Sequence, residues 1–345
     1  MAKSISKRVP RAPSASKSLN RSLQAARATK QDEFYTQLPD IEKELKHYTK
    51  HFEGKTVLCN CDDPKVSNFF RYFSNKFHDL KLKRLITTCY RNADPDLFSQ
   101  NESGRGLRLI YSGELTPGGR VPGFTKLDKT MLDGDGDFRS PECIALLKEA
   151  DVVVTNPPFS LFREYVGQLV EHKKKFIIIG NHNAITYREI FTLIRDNRIW
   201  LGYTHPVAFV VPDHYEMRGV RSWRDEHGTN WRSLGNACWF TNLDIAKRHE
   251  ELTLYRSIYE KPYPKFDNYE AIEVSTYKDI PRDCDGVMGV PVTFLEHYNP
   301  DQFKIVGLIA GNIKGLAGIP SASGKDGPYI GGKLRYGRIL IQRTT

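Results

Sequence analysis

From residue 40 onward, short apolar runs alternate with stretches in which apolar residues recur every three or four positions. The runs Thr56–Asn60, Arg84–Cys89, Asp151–Thr155, Lys175–Gly180 and Ile199–Gly202 are short, continuous and largely β-branched, which is the signature of strands buried on both faces. Between them, Ile41–His51, Pro64–Phe77, Leu161–His172 and Thr186–Asp196 predict helices; in the second, Val66, Phe69, Phe70, Phe73 and Phe77 fall on one face. Another helix is predicted from Ser140-Pro141 to Glu149: the Ser140 oxygen can accept an orphaned N–H, and the N–H that Pro141 lacks is not needed in a first turn. Residues 92–130 are rich in Gly, Asn, Ser and Pro, with a β-like piece at 107–111, and predict an excursion or hairpin. Alternation of this kind predicts an α/β protein with a mostly parallel sheet and helices on both faces. Ligands of such sheets bind at the carboxyl ends of the strands. No internal repeat is present.

Length adds that the chain, at 345 residues, is two domains' worth or one large domain with insertions. No apolar run is long enough to cross a membrane as a helix, and a cytoplasmic protein is expected. The six cysteines form no C-x-x-C pair and the histidines no H-x₃-H cluster, so no zinc site is expected, and Cys59 and Cys89 read as small apolar strand residues. The net charge of +10 suggests an acidic partner, but its distribution is uneven. Residues 1–30 carry eight Lys and Arg and no acid; the other 315 residues hold 43 basic against 41 acidic groups. Residues 1–30 are therefore read as a disordered basic arm that holds DNA phosphates without regard to sequence. A transit peptide and a merely solubilising tail are the plainer readings.

The chemistry follows the strand ending at Thr155, where Asn156, Pro157, Pro158 and Phe159 stand in succession. Two prolines fix φ and remove backbone donors, so the turn is rigid. The Asn156 side-chain oxygen and the Pro157 carbonyl can then face outward as two acceptors beside an aromatic ring. That suits a flat heterocycle with an exocyclic amine: both amine hydrogens are taken, the nitrogen lone pair is localised, and it can attack an electrophilic methyl in line. No strong base is needed, because the alkylated nitrogen is acidic. A polar strand-end turn with a core phenylalanine is the plainer alternative. Asn-Pro-Pro-aromatic resembles the motif of amino-methyltransferases that use S-adenosylmethionine, which act on adenine in DNA, on adenine or guanine in rRNA, or on protein glutamine.

The neighbourhood narrows this. Asp32-Glu33-Phe34-Tyr35-Thr36 resembles the segment that contacts the cofactor's methionine end in DNA adenine methyltransferases. After the first strand, Asn60-Cys61-Asp62-Asp63-Pro64 replaces the usual Gly-rich loop; its carboxylates could accept bonds from the cofactor's ammonium and ribose hydroxyls, and Asp63 could equally cap the next helix. Asp133–Asp137 begins like a calcium loop, but Phe138 and Ile144 stand where glycine and glutamate are required. The pair Asp137-Phe138 instead resembles the one that pairs with and stacks on the cofactor adenine. In this order, residues 32 to about 310 are similar to the EcoRI-type adenine-specific DNA methyltransferases, in the γ arrangement of motifs; absence of the Gly-rich loop is itself typical of them. The resemblance implies a Rossmann-like S-adenosylmethionine-dependent methyltransferase fold. It implies that Tyr35, Thr36, Asn60, Asp62, Asp63, Asp137 and Phe138 bind the cofactor and that Asn156, Pro157, Pro158 and Phe159 hold the N6 amine of a flipped adenine. It further implies a GAATTC-like site in double-stranded DNA, modified at the adenine nearer the centre, by a monomer that needs no metal and can work beside a cognate endonuclease.

Base reading is assigned less sharply. Arg218, Arg221, Arg224 and Arg232 interleave with Trp223 and Trp231, and Lys333 and Arg335 lie in a Gly-rich stretch, 311–338, that also holds Lys314, Lys325, Arg338, Tyr329 and Tyr336. The plainer readings are a charge-balanced loop and a loosely held tail. Arg105, Arg108, Arg120, Lys126 and Lys129 in the excursion could clamp phosphates. The expected organisation is a basic arm (1–30), a catalytic core (31–202) and a remainder (203–345) that completes the sheet and reads the target. An RNA adenine-N6 methyltransferase and an inactive DNA-binding protein are the competing functions.

Overall fold

The computed structural model describes residues 34–61, 65, 67–89, 105–211, 215–217, 220–311 and 313–344. The basic arm, Asp32, Glu33, Asp62, Asp63 and Arg218 lie outside them.

Among the described residues the largest sheet has eight strands: β1 (Thr56–Asn60), β2 (Arg84–Cys89), β3 (Leu107–Tyr111), β4 (Asp128–Met131), β5 (Val152–Thr155), β6 (Lys175–Asn181), β7 (Trp200–Leu201) and β11 (Ala237–Thr241). Their spatial order is β4-β3-β2-β1-β5-β6-β11-β7. The centre, β2-β1-β5-β6, is parallel, as the continuous apolar runs require. The rims are antiparallel: β3 and β4 on one side, β11 on the other. The expected excursion is therefore in part a two-strand extension of the sheet.

Five helices supply the layers: α1 (Leu38–Leu45), α2 (Asn68–Asn75), α3 (Pro141–Glu149), α4 (Phe162–Glu171) and α5 (Arg188–Arg195). Alternate strand residues sort to opposite faces. Val57, Cys59, Val152, Val154, Ile177 and Ile179 pack with Ile41 and Leu45 of α1 and Phe69 and Phe73 of α2. Leu58, Val153, Phe176 and Ile178 pack with Leu146, Val166, Leu169 and Phe191 of α3 to α5. Ser140 caps α3 by accepting the Cys143 N–H at 3.2 Å, with Pro141 in its first turn. Two helices depart from expectation. The segment 41–51 leaves the α pattern after Leu45, where His47 N–H and Tyr48 N–H bond three residues back and the chain tightens into a 3₁₀ turn at Thr49–His51. Of the segment 64–77, the described helix runs Asn68–Asn75, with Ser67 as its cap accepting the Phe70 N–H; Asp63, the cap expected from sequence, lies outside the described residues.

Residues 203–344 build two further pieces. A small sheet, β8 (Ala208–Val210), β9 (Ser222–Arg224) and β10 (Asn230–Ser233), is ordered β8-β10-β9. A four-stranded sheet joins β12 (Ile272–Glu273), β13 (Met288–Val290), β17 (Arg338–Arg343) and β14 (Phe303–Ile309). Its Met288, Val290, Ile305, Ile339 and Ile341 share one core with Ile190 and Ile194 of α5. The C-terminal stretch is thus no loose tail. β17 lies between β13 and β14, and Arg338 is spent in a buried pair with Glu273 at 2.8 Å. The hairpin β15 (Tyr329–Ile330) and β16 (Lys333–Leu334) turns at Gly331-Gly332 with φ of 58° and 73°, which only glycine adopts without strain, and both turn N–H groups donate to Asp267.

Candidate active site at the carboxyl edge of the sheet

Strand order reverses at β1, which has β2 on one side and β5 on the other, so the carboxyl ends of β1 and β5 open side by side. A crevice at such a reversal is where α/β sheets take ligands. Side chains lock the two ends together: the Thr155 hydroxyl donates to the Asn60 carbonyl, and the Tyr165 hydroxyl of α4 donates to Asn60 Oδ1. Burial holds the Tyr165 phenol far above its ordinary pKa, so it stays a donor. Directly after β1, Cys61 sits at φ 83°, a left-handed conformation that costs a non-glycine residue about 1–2 kcal/mol. Backbone strain therefore stands where a Gly-rich loop would serve other proteins of this architecture.

Asn156 follows β5 and is 6% exposed. Its Nδ2 donates to the Phe34 carbonyl at 2.6 Å, which decides the orientation of the amide. Its Oδ1 is buried and has no hydrogen-bond partner. A buried acceptor left empty costs about 1–3 kcal/mol, which a ligand that donates to it would relieve. Pro157 is buried, and Pro158 turns its carbonyl back to the Leu161 N–H at 2.9 Å. The Phe159 ring stands 5.6 Å from that of Phe34, which also meets Phe209 at 5.9 Å and Tyr215 at 6.0 Å. The acceptor thus opens beside an aromatic wall. Phe34, Phe209 and Tyr215 belong to that wall; the sequence marks Phe34 only as part of the 32–36 segment and does not mark Phe209 or Tyr215, because no local pattern joins positions so far apart along the chain. The wall is held by a two-way backbone bridge between Tyr35 and Val210 of β8, at 2.8 and 3.2 Å.

The expected cofactor residues fare unequally. Thr36 is 2% exposed and its Oγ1 is a second buried oxygen without a partner, while its carbonyl accepts from Asn68 at 2.8 Å. Tyr35 adjoins it in the bridge to β8. Asn60 is in place at the strand end, but its side-chain oxygen is spent on Tyr165. The Asp137 carboxylate takes the Arg139 Nε at 2.8 Å, and Arg139 reaches on to Glu164 at 3.2 Å; these two acids raise the guanidinium's pKa further. Phe138, 8% exposed, sets its ring edge-on to Tyr165 at 5.1 Å and has the Arg139 guanidinium over it at 5.3 Å. Two orphaned oxygens, at Thr36 and Asn156, around a strained strand end fit a polar small molecule. Among the described residues no cluster of side chains could hold a metal ion, and no helix is long and apolar enough to cross a membrane.

The expected DNA-reading residues split between two places. On the small sheet, Trp231 lies opposite Trp223, with parallel rings 6.2 Å apart, while Arg232 lies opposite Ser222 and Arg224 opposite Asn230. Tryptophans and arginines are hence on opposite faces. Arg221 is exposed just before β9. Lys333 and Arg335 are exposed on the β15–β16 hairpin, which hangs from Asp267 and Asn268 and shares no strand with the small sheet. In the β3–β4 extension, Arg105 is paired with Asp133 at 2.9 Å and Arg108 donates to Thr130.

A family model described as "Adenine-specific methyltransferase EcoRI" matches residues 22–344. Among curated proteins, the chain is 48% identical to the Type II methyltransferase M.EcoRI of Escherichia coli, over 94% of this chain and 96% of that one. It is 37% identical to M.MgeORF184P of Mycoplasma genitalium and 36% to M.MpnI of Mycoplasma pneumoniae, both Type II methyltransferases, over 92% of this chain and 97% of each relative. No solved structure matches it.

Proposed function

The chain belongs to the EcoRI family of adenine-specific methyltransferases and is a DNA adenine methyltransferase, and from that premise we propose how it works: it moves a methyl group from S-adenosylmethionine to the N6 amine of an adenine flipped out of double-stranded DNA. The observation that carries this is the empty, buried Asn156 Oδ1 beside the Phe34–Phe159 wall.

In this reading the fold is a Rossmann-like methyltransferase fold, and the base enters against Phe159. Asn156 Oδ1 accepts one amine hydrogen and the Pro157 carbonyl the other, which turns the nitrogen lone pair out of the ring plane. Pro158 keeps the turn stiff. Bound S-adenosylmethionine supplies an electrophilic methyl on a sulfonium. Tyr35, Thr36 and the Asn60 strand end, with Asp62, Asp63, Asp137 and Phe138, would hold it, and of these the Thr36 hydroxyl has an open hydrogen-bonding position. The proton shed by the alkylated nitrogen leaves through the Asn156 side of the pocket to water. The aromatic wall excludes water from the lone pair until the methyl is in line.

A GAATTC-like site is supported by the 48% identity with M.EcoRI over nearly the whole of both chains. Residues 203–345 would carry its DNA contacts, base-reading and phosphate-holding together, from the small sheet (Arg218, Arg221, Arg224, Arg232) and from the hairpin (Lys333, Arg335). The enzyme would act as a monomer, with or without a cognate endonuclease. Plasmid DNA from expressing cells, digested with a panel of methylation-sensitive endonucleases, tests this: protection at GAATTC and cutting elsewhere is expected. Protection at another sequence overturns the site. Transfer of tritiated methyl to structured RNA in preference to duplex DNA overturns the substrate.

The basic arm gives a separable prediction. Deleting residues 2–30 removes eight cations. Affinity for non-specific duplex should fall and the slope of log K against log salt should flatten by up to about seven, with the methylated site and the single-turnover rate unchanged. Filter binding across a salt series measures it; an unchanged slope overturns the role given to the arm.

A further inference from the structure

We propose that Arg232 holds a phosphate of the extruded adenosine at the rim of the pocket walled by Phe34, Phe159 and Tyr215; this rests on reading that pocket as the seat of a flipped base.

The argument starts from the pleat. Successive residues of a strand face opposite sides. Trp231 of β10 pairs with Trp223 and with Val210, and Trp223 is 42% exposed, so this face of the small sheet looks outward. Arg232 pairs with Ser222 and with Phe209 on the other face. Phe209 is fully buried with its ring against Phe34, so the Arg232 face is the one turned to the pocket. Sequence order puts arginines and tryptophans in one segment; the pleat gives them two surfaces.

Two contacts refine the placement. Ser222 Oγ accepts from Arg232 Nη1 at 2.8 Å, which fixes one arm of the guanidinium. Arg232 also acts on the wall itself: burial raises the pKa of the Tyr215 phenol, and the guanidinium's charge opposes the rise. Tyr215 in turn touches Phe34. Arg232 is thus a half-buried cation beside the aromatic ring system that would receive the base.

The chemistry then selects the ligand. A nucleotide swung out of a duplex brings its two flanking phosphodiesters to the pocket's mouth, and they are its only charges. A planar guanidinium matches two phosphate oxygens with parallel N–H donors, and partial burial strengthens the pairing relative to water. A base edge would be met by an arginine on the outer face, reaching into a groove. Arg232 reaches the opposite way.

The test uses full-length enzyme, duplexes carrying its methylated site, and 2-aminopurine in place of the target adenine to report unstacking. Arg232→Ala should lower the single-turnover methylation rate about ten- to a hundred-fold, the loss expected for one charged hydrogen-bonded contact. A neutral methylphosphonate at one phosphate flanking the target should cost wild type the same factor, and Arg232→Ala on that duplex should lose nothing more. Arg232→Lys should recover part of the rate on the natural duplex and none on the methylphosphonate, which a merely structural role would not produce. Multiplying losses, unchanged activity in Arg232→Ala, or a changed methylation site at an unchanged rate overturns the proposal. A wild-type enzyme that leaves 2-aminopurine dark overturns the base-extrusion reading beneath it as well; a bright wild type with multiplying losses overturns this proposal alone.

Discussion

Asn156→Ala should abolish methyl transfer while leaving duplex binding close to that of the parent. The side chain does two jobs. Its Nδ2 pins the Phe34 carbonyl, and its Oδ1 waits as the buried acceptor for the amine. Loss of one preorganised polar group that acts on the reacting centre costs about a hundred- to a thousand-fold in rate, and release of Phe34 adds to it by loosening the aromatic wall. Asn156→Asp separates the two jobs. It keeps an oxygen at the Oδ1 position but sets a second carboxylate oxygen against the Phe34 carbonyl, where like partial charges repel. Its rate should also collapse, which an acceptor-only account would not predict. Affinity should persist in both, because phosphate contacts dominate it. Single-turnover tritium transfer together with filter binding measures the pair. Turnover by Asn156→Ala at even a tenth of the parental rate removes Asn156 from the mechanism.

What could be read in the sequence follows from where the information is stored. β1, β2, β3 and α3 lie where the apolar runs and the Ser140-Pro141 start put them, because each signal is local and each element is buried in the way its own residues demand. The Asn156–Phe159 turn was legible for the same reason, since two prolines constrain their own backbone. The wall around it was not. Phe34 precedes the first helix, Phe209 lies in a three-residue strand and Tyr215 in the connection after it; tertiary packing alone unites them with Phe159. The small sheet was likewise unreadable as strands, since β8, β9 and β10 are three or four residues long, and β9 and β10 alternate tryptophan with polar residues. Asp137 and Arg338 show the converse: a charged residue in a suggestive run is already committed to a neighbour, to Arg139 and to Glu273. Motif spacing carries no record of such partners.

Glu44 is the least legible of the residues on which the site depends, and its removal should cost more stability than any surface change. In the sequence it is one glutamate among the polar positions of a helix. In the fold it is 0% exposed. Its carboxylate accepts from the Tyr48 hydroxyl at 2.8 Å, from the Tyr203 N–H at 2.9 Å, and from the Thr204 N–H at 2.8 Å and hydroxyl at 2.7 Å. A Cβ at Gly202 would lie 2.2 Å from Oε1, so glycine there is what lets the chain pass. These bonds tie α1, which follows the Phe34–Thr36 segment, to the connection that leads into β8, which pairs with Tyr35. Both sides of the aromatic wall therefore hang from one buried charge. Glu44→Ala leaves two backbone donors and two hydroxyls facing an apolar methyl, and breaking a buried, hydrogen-bonded charge in this way costs about 3–5 kcal/mol. Glu44→Gln keeps one acceptor but points an amide N–H₂ at other donors, and should recover only part of that. Urea unfolding curves give both values. If the wall is hung as described, either variant, held below its unfolding midpoint, should also show a slower methylation step with little change in duplex affinity. A variant that is destabilised by this amount yet methylates at the parental rate would leave Glu44 a prop for α1 and detach it from the site.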